Sequence, residues 1–119
     1  MTREDLKQLR SLMAELEELE QTRKDLEHRK QEKGLTRFAE AVYNKRLTML
    51  EDKERDLNAL LERVQFALSL LPSEERRLLE LRYVEGKEWL VIAQEMMFSV
   101  DYVRGKLHQK ALHLLKENT

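Results

Sequence analysis

The chain has no cysteine, one proline, three glycines and only 6% aromatic residues among its 119. Without cysteine there is no disulfide and no thiolate metal site, a composition that suits a reducing compartment. So few prolines and glycines leave few places to break a helix. The first residues, MTREDLKQLR, hold no apolar core of a secretory signal. No apolar run approaches the roughly 20 residues that a membrane span needs. A soluble, cytoplasmic protein is therefore expected, with no membrane partner. The formal charge is −1, so nothing draws the whole molecule toward nucleic acid. Any such contact must come from a local patch.

What the chain has is charge. Asp, Glu, Lys and Arg make up 38% of it, which favours long solvated helices over a thick core. From 3 to 33 nearly every residue is a strong helix former. Leu9, Leu12, Leu16, Leu19 and Leu26 step by three and four, the rhythm of a coiled-coil seam, and Arg23 and Lys30 interrupt it. Lys33–Gly34 is the expected stop, and Thr36 can cap the next helix. A connection this short implies an antiparallel helical hairpin.

The second long helix is expected over 37–71. Phe38, Val42, Leu50, Leu57, Leu60 or Leu61, Val64, Ala67, Leu68 and Leu71 form its apolar side. The run from Glu51 to Asp56 reads as a solvated charged face. The last third is apolar on nearly every side, because Phe66 and Leu70 add to the stripe. Such a helix end must be buried, against the following segment or a second copy. Homo-oligomerisation through the hairpin is the expectation.

The stretch 71–115 is organised differently. Pro72–Ser73 begins a helix carrying Leu78, Leu79, Leu81 and Tyr83, and Glu85–Gly86–Lys87 ends it. A short helix over 88–96 carries Trp89, Ile92, Ala93 and Met96. Ser99 can cap a third helix with Val103, Leu107, Ala111, Leu114 and Leu115 on its buried face. Two short helices joined by a tight turn make a helix-turn-helix, with small Ala93 where they cross. The turn usually holds glycine, because a left-handed backbone costs other residues about 1–2 kcal/mol. Here it is Met97. Either the domain absorbs the strain or the turn opens.

Catalysis finds no support. His28, His108 and His113 are the only histidines. The last two stand five apart and share no helical face as an i,i+4 metal pair would. The glycines stand alone, so no loop cradles phosphate. No metal site and no cofactor is expected, and the chain does not read as an enzyme. The helix after Ser99 is the better site. Val100, Asp101, Arg104, Gly105 and His108 are expected to face outward, and Arg104, Lys106 and Lys110 make the helix basic. Arginine can grip guanine bidentately and lysine can neutralise phosphate. Lys87 can reach a phosphate from the preceding turn. Three or four such contacts predict a slope of log K on log salt near −3 to −4, at about 0.9 per contact. Gly105 costs about 1 kcal/mol in a helix, which close approach of a partner or tight internal packing would explain. Trp89 is expected to plug the core at the helix junction rather than stack on a base. The alternative for the whole helix is a solvated face with no ligand.

The string LPSEERRLLELRYVEGKEWLVIAQEM resembles region 4 of bacterial sigma factors, with its Leu-Pro start, Leu-Arg-Tyr, acidic-Gly turn and Ile-Ala pair. Trp89 and the later LHQKALHLL resemble phage-encoded sigma-like regulators of Gram-positive bacteria, including late-gene activators of the ArpU and RinA type. The resemblance covers about 45 residues. With the leucine spacing and the short connection above, an all-α protein is expected in which residues 1–71 form a long antiparallel coiled-coil hairpin, and the resemblance implies a sigma-region-4-like helix-turn-helix over residues 72–119. It further implies transcription regulation through double-stranded promoter DNA, with RNA polymerase as a second partner. The DNA-binding residues would be Lys87, Ser99, Val100, Asp101, Arg104, Gly105, Lys106, His108 and Lys110. The alternative is a coiled-coil interaction protein that has lost DNA binding and docks on polymerase or another protein.

Overall fold

A computed structural model describes residues 1–32 and 34–118. Among them every regular element is helical. In chain order these are α1 (Arg3–Lys7), α2 (Leu9–Lys30), α3 (Arg37–Ser69), α4 (Ser73–Leu79), α5 (Trp89–Met96), α6 (Val100–Tyr102) and α7 (His108–Glu117). Two wide π-helical turns, Glu80–Val84 and Val103–Leu107, extend α4 and join α6 to α7. The chain divides into two compact units, Leu12–Leu60 and a unit of Met1–Ser11 with Leu61–Thr119.

The unit Leu12–Leu60 is a pair of long helices packed together. On α2, Leu12, Leu16, Leu19, Arg23 and Leu26 are buried or half-buried, at steps of four and three. On α3 the matching residues are Tyr43, Leu47, Leu50, Glu54 and Leu57. Phe38 and Val42, placed on the apolar side by the sequence pattern, are exposed. Leu47 is the buried residue instead. Glu54 also departs from expectation. It lies in the charge run read as solvated, yet its carboxylate accepts a 2.7 Å hydrogen bond from Arg23 Nε. The guanidinium that interrupts the leucine seam is thus answered by a carboxylate on the facing helix, and Glu27 accepts a second bond from it at 3.1 Å. Between these helices, Thr36 Oγ1 accepts from the Ala39 N–H at 3.1 Å, the expected cap. Gly34 has a left-handed φ of 90°; Lys33, the other half of the expected stop, lies outside the described residues.

The second unit holds the main core. Leu78, Leu79, Ile92, Val103, Leu107 and Leu115 are fully buried there. The end of α3 joins them through Val64, Ala67 and Leu68, and Leu71 follows just after it, while Phe66 and Leu70 remain exposed. Among the described residues, only one face of that apolar helix end is covered. The N-terminal segment is the larger departure. Leu6 and Leu9 are buried in this same core, and Thr2 N–H donates to the Asp5 carboxylate at 2.8 Å at the start of α1. The division at 71/72 expected from sequence therefore does not coincide with the compact units. Residues 1–11 and 61–71 belong with the segment that follows.

Local chemistry explains the breaks. Pro72, with φ −56° and ψ 155°, precedes α4 rather than opening it. Gly86, at φ 70°, turns the chain between the first π turn and α5. Met97 ends α5 at φ 60° and ψ 39°. The N–H groups of both Met97 and Phe98 donate to the Ala93 carbonyl, which satisfies an otherwise orphaned end group. The turn is therefore closed, and the left-handed strain is absorbed. The Met97 side chain is exposed, so removing it uncovers nothing. Met97→Gly should stabilise the protein by up to about 1 kcal/mol, once glycine's greater freedom in the unfolded chain is subtracted. A urea melt checks this, and an unchanged or lower midpoint speaks against strain at residue 97.

Candidate nucleic-acid interface

The segment α5–turn–α6 is built from cap chemistry and one small residue. Buried Ala93 and Ile92 face inward from α5. Phe98 and Tyr102 meet edge to face across the turn, with centroids 5.0 Å apart. Ser99 Oγ accepts from the Tyr102 N–H at 3.2 Å, as an N-cap. Beyond it the helix is continuous through the second π turn into α7.

The expected site residues have varied surroundings. Asp101, Arg104 and Lys106 are exposed on one helix. Arg104 Nη2 lies 3.4 Å from Asp101 Oδ1, an exposed i,i+3 pair of little net worth. Lys106 has no carboxylate partner among the described residues. Val100 is half-buried and packs on the core, and Ser99 serves as the cap. Gly105 is half-buried, yet a Cβ added there would meet nothing within 4 Å. Tight internal packing is thus not the reason for this glycine, and the space beside it is open.

Two lysines are engaged by their own chain. Lys110 Nζ sits 3.1 Å from Glu75 Oε1, whose side chain is only 4% exposed. The Glu75 hydrogen bond and charge raise the lysine's pKa. Lys87 pairs with Glu95 and, at 3.6 Å, with Glu85, and the Glu95 bond raises its pKa. Neither ammonium is poised for phosphate. Lys110 instead neutralises a buried carboxylate, which would be costly to leave alone.

His108 does not face outward. It is 6% exposed, and its Nε2 shares a 2.7 Å hydrogen bond with the Tyr83 hydroxyl. The two rings stack at 5.9 Å, and Trp89 meets the imidazole edge-on at 4.8 Å. Burial, followed by the charges of Arg3 and Arg82, depresses its pKa from 6.5 to about 4. The physical reason lies in α7 itself: His108 stands three residues before Ala111 and seven before Leu115, and all three are buried on one face of that helix. Tyr83 lies in the first π turn, closed by Glu85 N–H donating to the Glu80 carbonyl at 3.0 Å. A buried hydrogen-bonded pair therefore joins that turn to the first residue of α7.

Trp89 is half-buried against the core, with the Arg82 guanidinium 4.5 Å from its ring centre. Arg82 also donates to the Lys87 carbonyl at 3.0 Å. The indole is thus covered on one face by Arg82 and meets His108 at an edge, as expected for a plug.

Comparison with family models, curated proteins and solved structures finds no match. Among the described residues, no helix is long and apolar enough to cross a membrane.

Sequence reasoning overlooked Arg3, Arg10 and Arg82. They stand in the unit Met1–Ser11 with Leu61–Thr119 and line one pocket with Gly86. The signal available was the spacing of Arg3, Lys7 and Arg10, which places three cations on one helical face.

Proposed function

We propose that this chain is a DNA-binding transcription regulator of the cytoplasm. In this reading residues 72–119 act as a sigma-region-4-like helix-turn-helix, and the long helices form an antiparallel coiled-coil hairpin that offers a surface to RNA polymerase or to a second copy. The observation that carries it is the closed turn from Met97 to Ser99. It holds a helix on which Arg104 and Lys106 are exposed to either side of Gly105, beside open space at that glycine. A helix placed this way can lay its first turns against base edges in a major groove. Arg104 is the candidate for guanine, since its exchange of Asp101 for a base costs little. Lys106 is the candidate for phosphate. The mechanism is positional and involves no bond-making step.

The internal pairing of Lys87 and Lys110 lowers the expected number of phosphate contacts from this face. Two cations remain, Lys106 and an Arg104 held only by its exposed pair with Asp101, and they predict a slope of log K on log salt near −2, at about 0.9 per contact. The test is duplex binding by fluorescence anisotropy at several salt concentrations. Arg104→Ala should weaken binding to a selected site by about tenfold or more and relax one base position. Lys106→Ala should weaken all duplexes alike and reduce the slope by about one. Lys110→Ala is a poor probe, because it strips Glu75 of its partner. Absence of binding at low salt favours the second reading, an interaction protein without DNA affinity. The observation behind that reading is the same neutralisation of Lys87 and Lys110 by the chain's own carboxylates.

A further inference from the structure

Residues Arg3, Lys7, Arg10 and Arg82 line a pocket of about 270 Å³ beside Gly86. No carboxylate lines it. Lys7 has an exposed partner, Glu4, at 3.5 Å. Arg3, Arg10 and Arg82 have no carboxylate partner among the described residues. Elsewhere in this unit some cations are answered, Lys87 by Glu95, Lys110 by Glu75 and Arg104 by Asp101, and Lys106 stands without a carboxylate partner among the described residues. In the pocket three guanidinium groups without such a partner line one space.

The cluster is also held in place. Leu6 and Leu9, on the segment that carries Arg3, Lys7 and Arg10, are anchored in the core. The spacing of four and three residues puts those three cations on one face. Arg82 is fixed by its bond to the Lys87 carbonyl and by the Trp89 ring. Gly86 admits Arg10, because a Cβ there would overlap the Arg10 guanidinium. The like charges are felt in the core, where Arg3 and Arg82 help to hold His108 neutral. An arrangement of preplaced guanidinium forks suits a tetrahedral, multiply charged oxyanion better than a single carboxylate.

The geometry points to a phosphate-binding site formed by Arg3, Arg10 and Arg82 on the Gly86 turn, filled by a phosphoryl group of a free compound or of a nucleic-acid backbone. This inference does not depend on the helix after Ser99 meeting DNA. Failure of that helix to bind leaves the site standing.

Calorimetric titration of the full chain with pyrophosphate, in a low-salt buffer free of phosphate, tests it, alongside duplex binding against salt. Arg10 is exposed, so Arg10→Gln should keep the cooperative melt, and Arg10→Lys retains the charge without the fork. If the source is a free phosphoryl compound, pyrophosphate binds at one site. Both Arg10 variants and Gly86→Ala then weaken it by about tenfold or more, as loss of a charge-assisted hydrogen bond does, and duplex affinity is unchanged. If the source is a nucleic-acid backbone, Arg10→Gln reduces the salt slope by about one. Lys24→Gln, which removes one charge from the other unit, should leave both measurements unchanged. The site is refuted if neither pyrophosphate affinity nor the duplex slope responds to Arg10, or if Lys24→Gln lowers them equally.

Discussion

Ala93→Glu should abolish the cooperative melt of the unit built from Met1–Ser11 and Leu61–Thr119. Ala93 is 3% exposed, on the inward face of α5 and immediately before the turn at Met97. A glutamate there either buries a charge with no partner or forces α5 from its neighbours. Its carbonyl already accepts the N–H groups of Met97 and Phe98, so displacing the residue also opens the turn. The cost should exceed about 4 kcal/mol, a large part of the 5–15 kcal/mol that holds a domain folded. Far-UV circular dichroism against temperature reads the result. The helix pair Leu12–Leu60 should keep its helical signal while the other unit loses its transition. Retention of the full wild-type melt would show that residue 93 is not packed where α5 is placed.

The second large effect concerns acid. Because the folded pKa of His108 is about 4 and its ordinary value is 6.5, the unfolded chain binds a proton between those values that the folded chain refuses. Stability therefore rises with pH across that window. The histidine's contribution is complete above about pH 6.5 and is lost as pH falls toward 4. A shift of this size corresponds to about 3 kcal/mol. Carboxylates titrate in part of the same range, so the decisive quantity is a difference between two proteins. His108→Gln keeps a hydrogen-bonding group for Tyr83 and removes the titration. Urea unfolding at pH 7 and at pH 4 should show the wild-type protein losing about 3 kcal/mol more than the variant. Equal losses would assign the acid sensitivity to other groups.

Much of this organisation could be read from residue order, and the failures share physical causes. Ser99 and Thr36 were legible as caps because a hydroxyl before a helix has a specific partner. Val103, Leu107, Ala111 and Leu115 were legible as a buried face through their spacing. His108 shares that spacing, three residues before Ala111 and seven before Leu115 on α7, but a histidine's polar ring reads as solvent-facing when its hydrogen-bond partner, Tyr83, lies far away in sequence. Leu9 was correctly read as buried, but its partner was not legible. A leucine stripe says that a face is covered, and its spacing is the same whether another long helix or a small core covers it. Leu6 and Leu9 enter the core with Leu78 and Ile92. Phe66 and Leu70 show the converse, since an apolar residue does not have to find cover within its own chain. Of the candidate site, Arg104 and Lys106 were legible as exposed cations. The neutralisation of Lys110 by Glu75 required the fold, because the two residues lie 35 positions apart in sequence.

Arg23 and Glu54 give the helix pair an index mark. A seam made only of leucine can slide by one heptad, about 10 Å along the axis, and meet equivalent partners again. Here a slide in either direction would bring Leu47 or Leu61, seven residues from Glu54, opposite the guanidinium. Each misaligned setting strands one cation and one carboxylate between apolar neighbours, and only one setting returns both. The polar interruption of the leucine stripe thus works as a detent: it selects a single alignment from a set that hydrophobic burial alone would leave nearly degenerate.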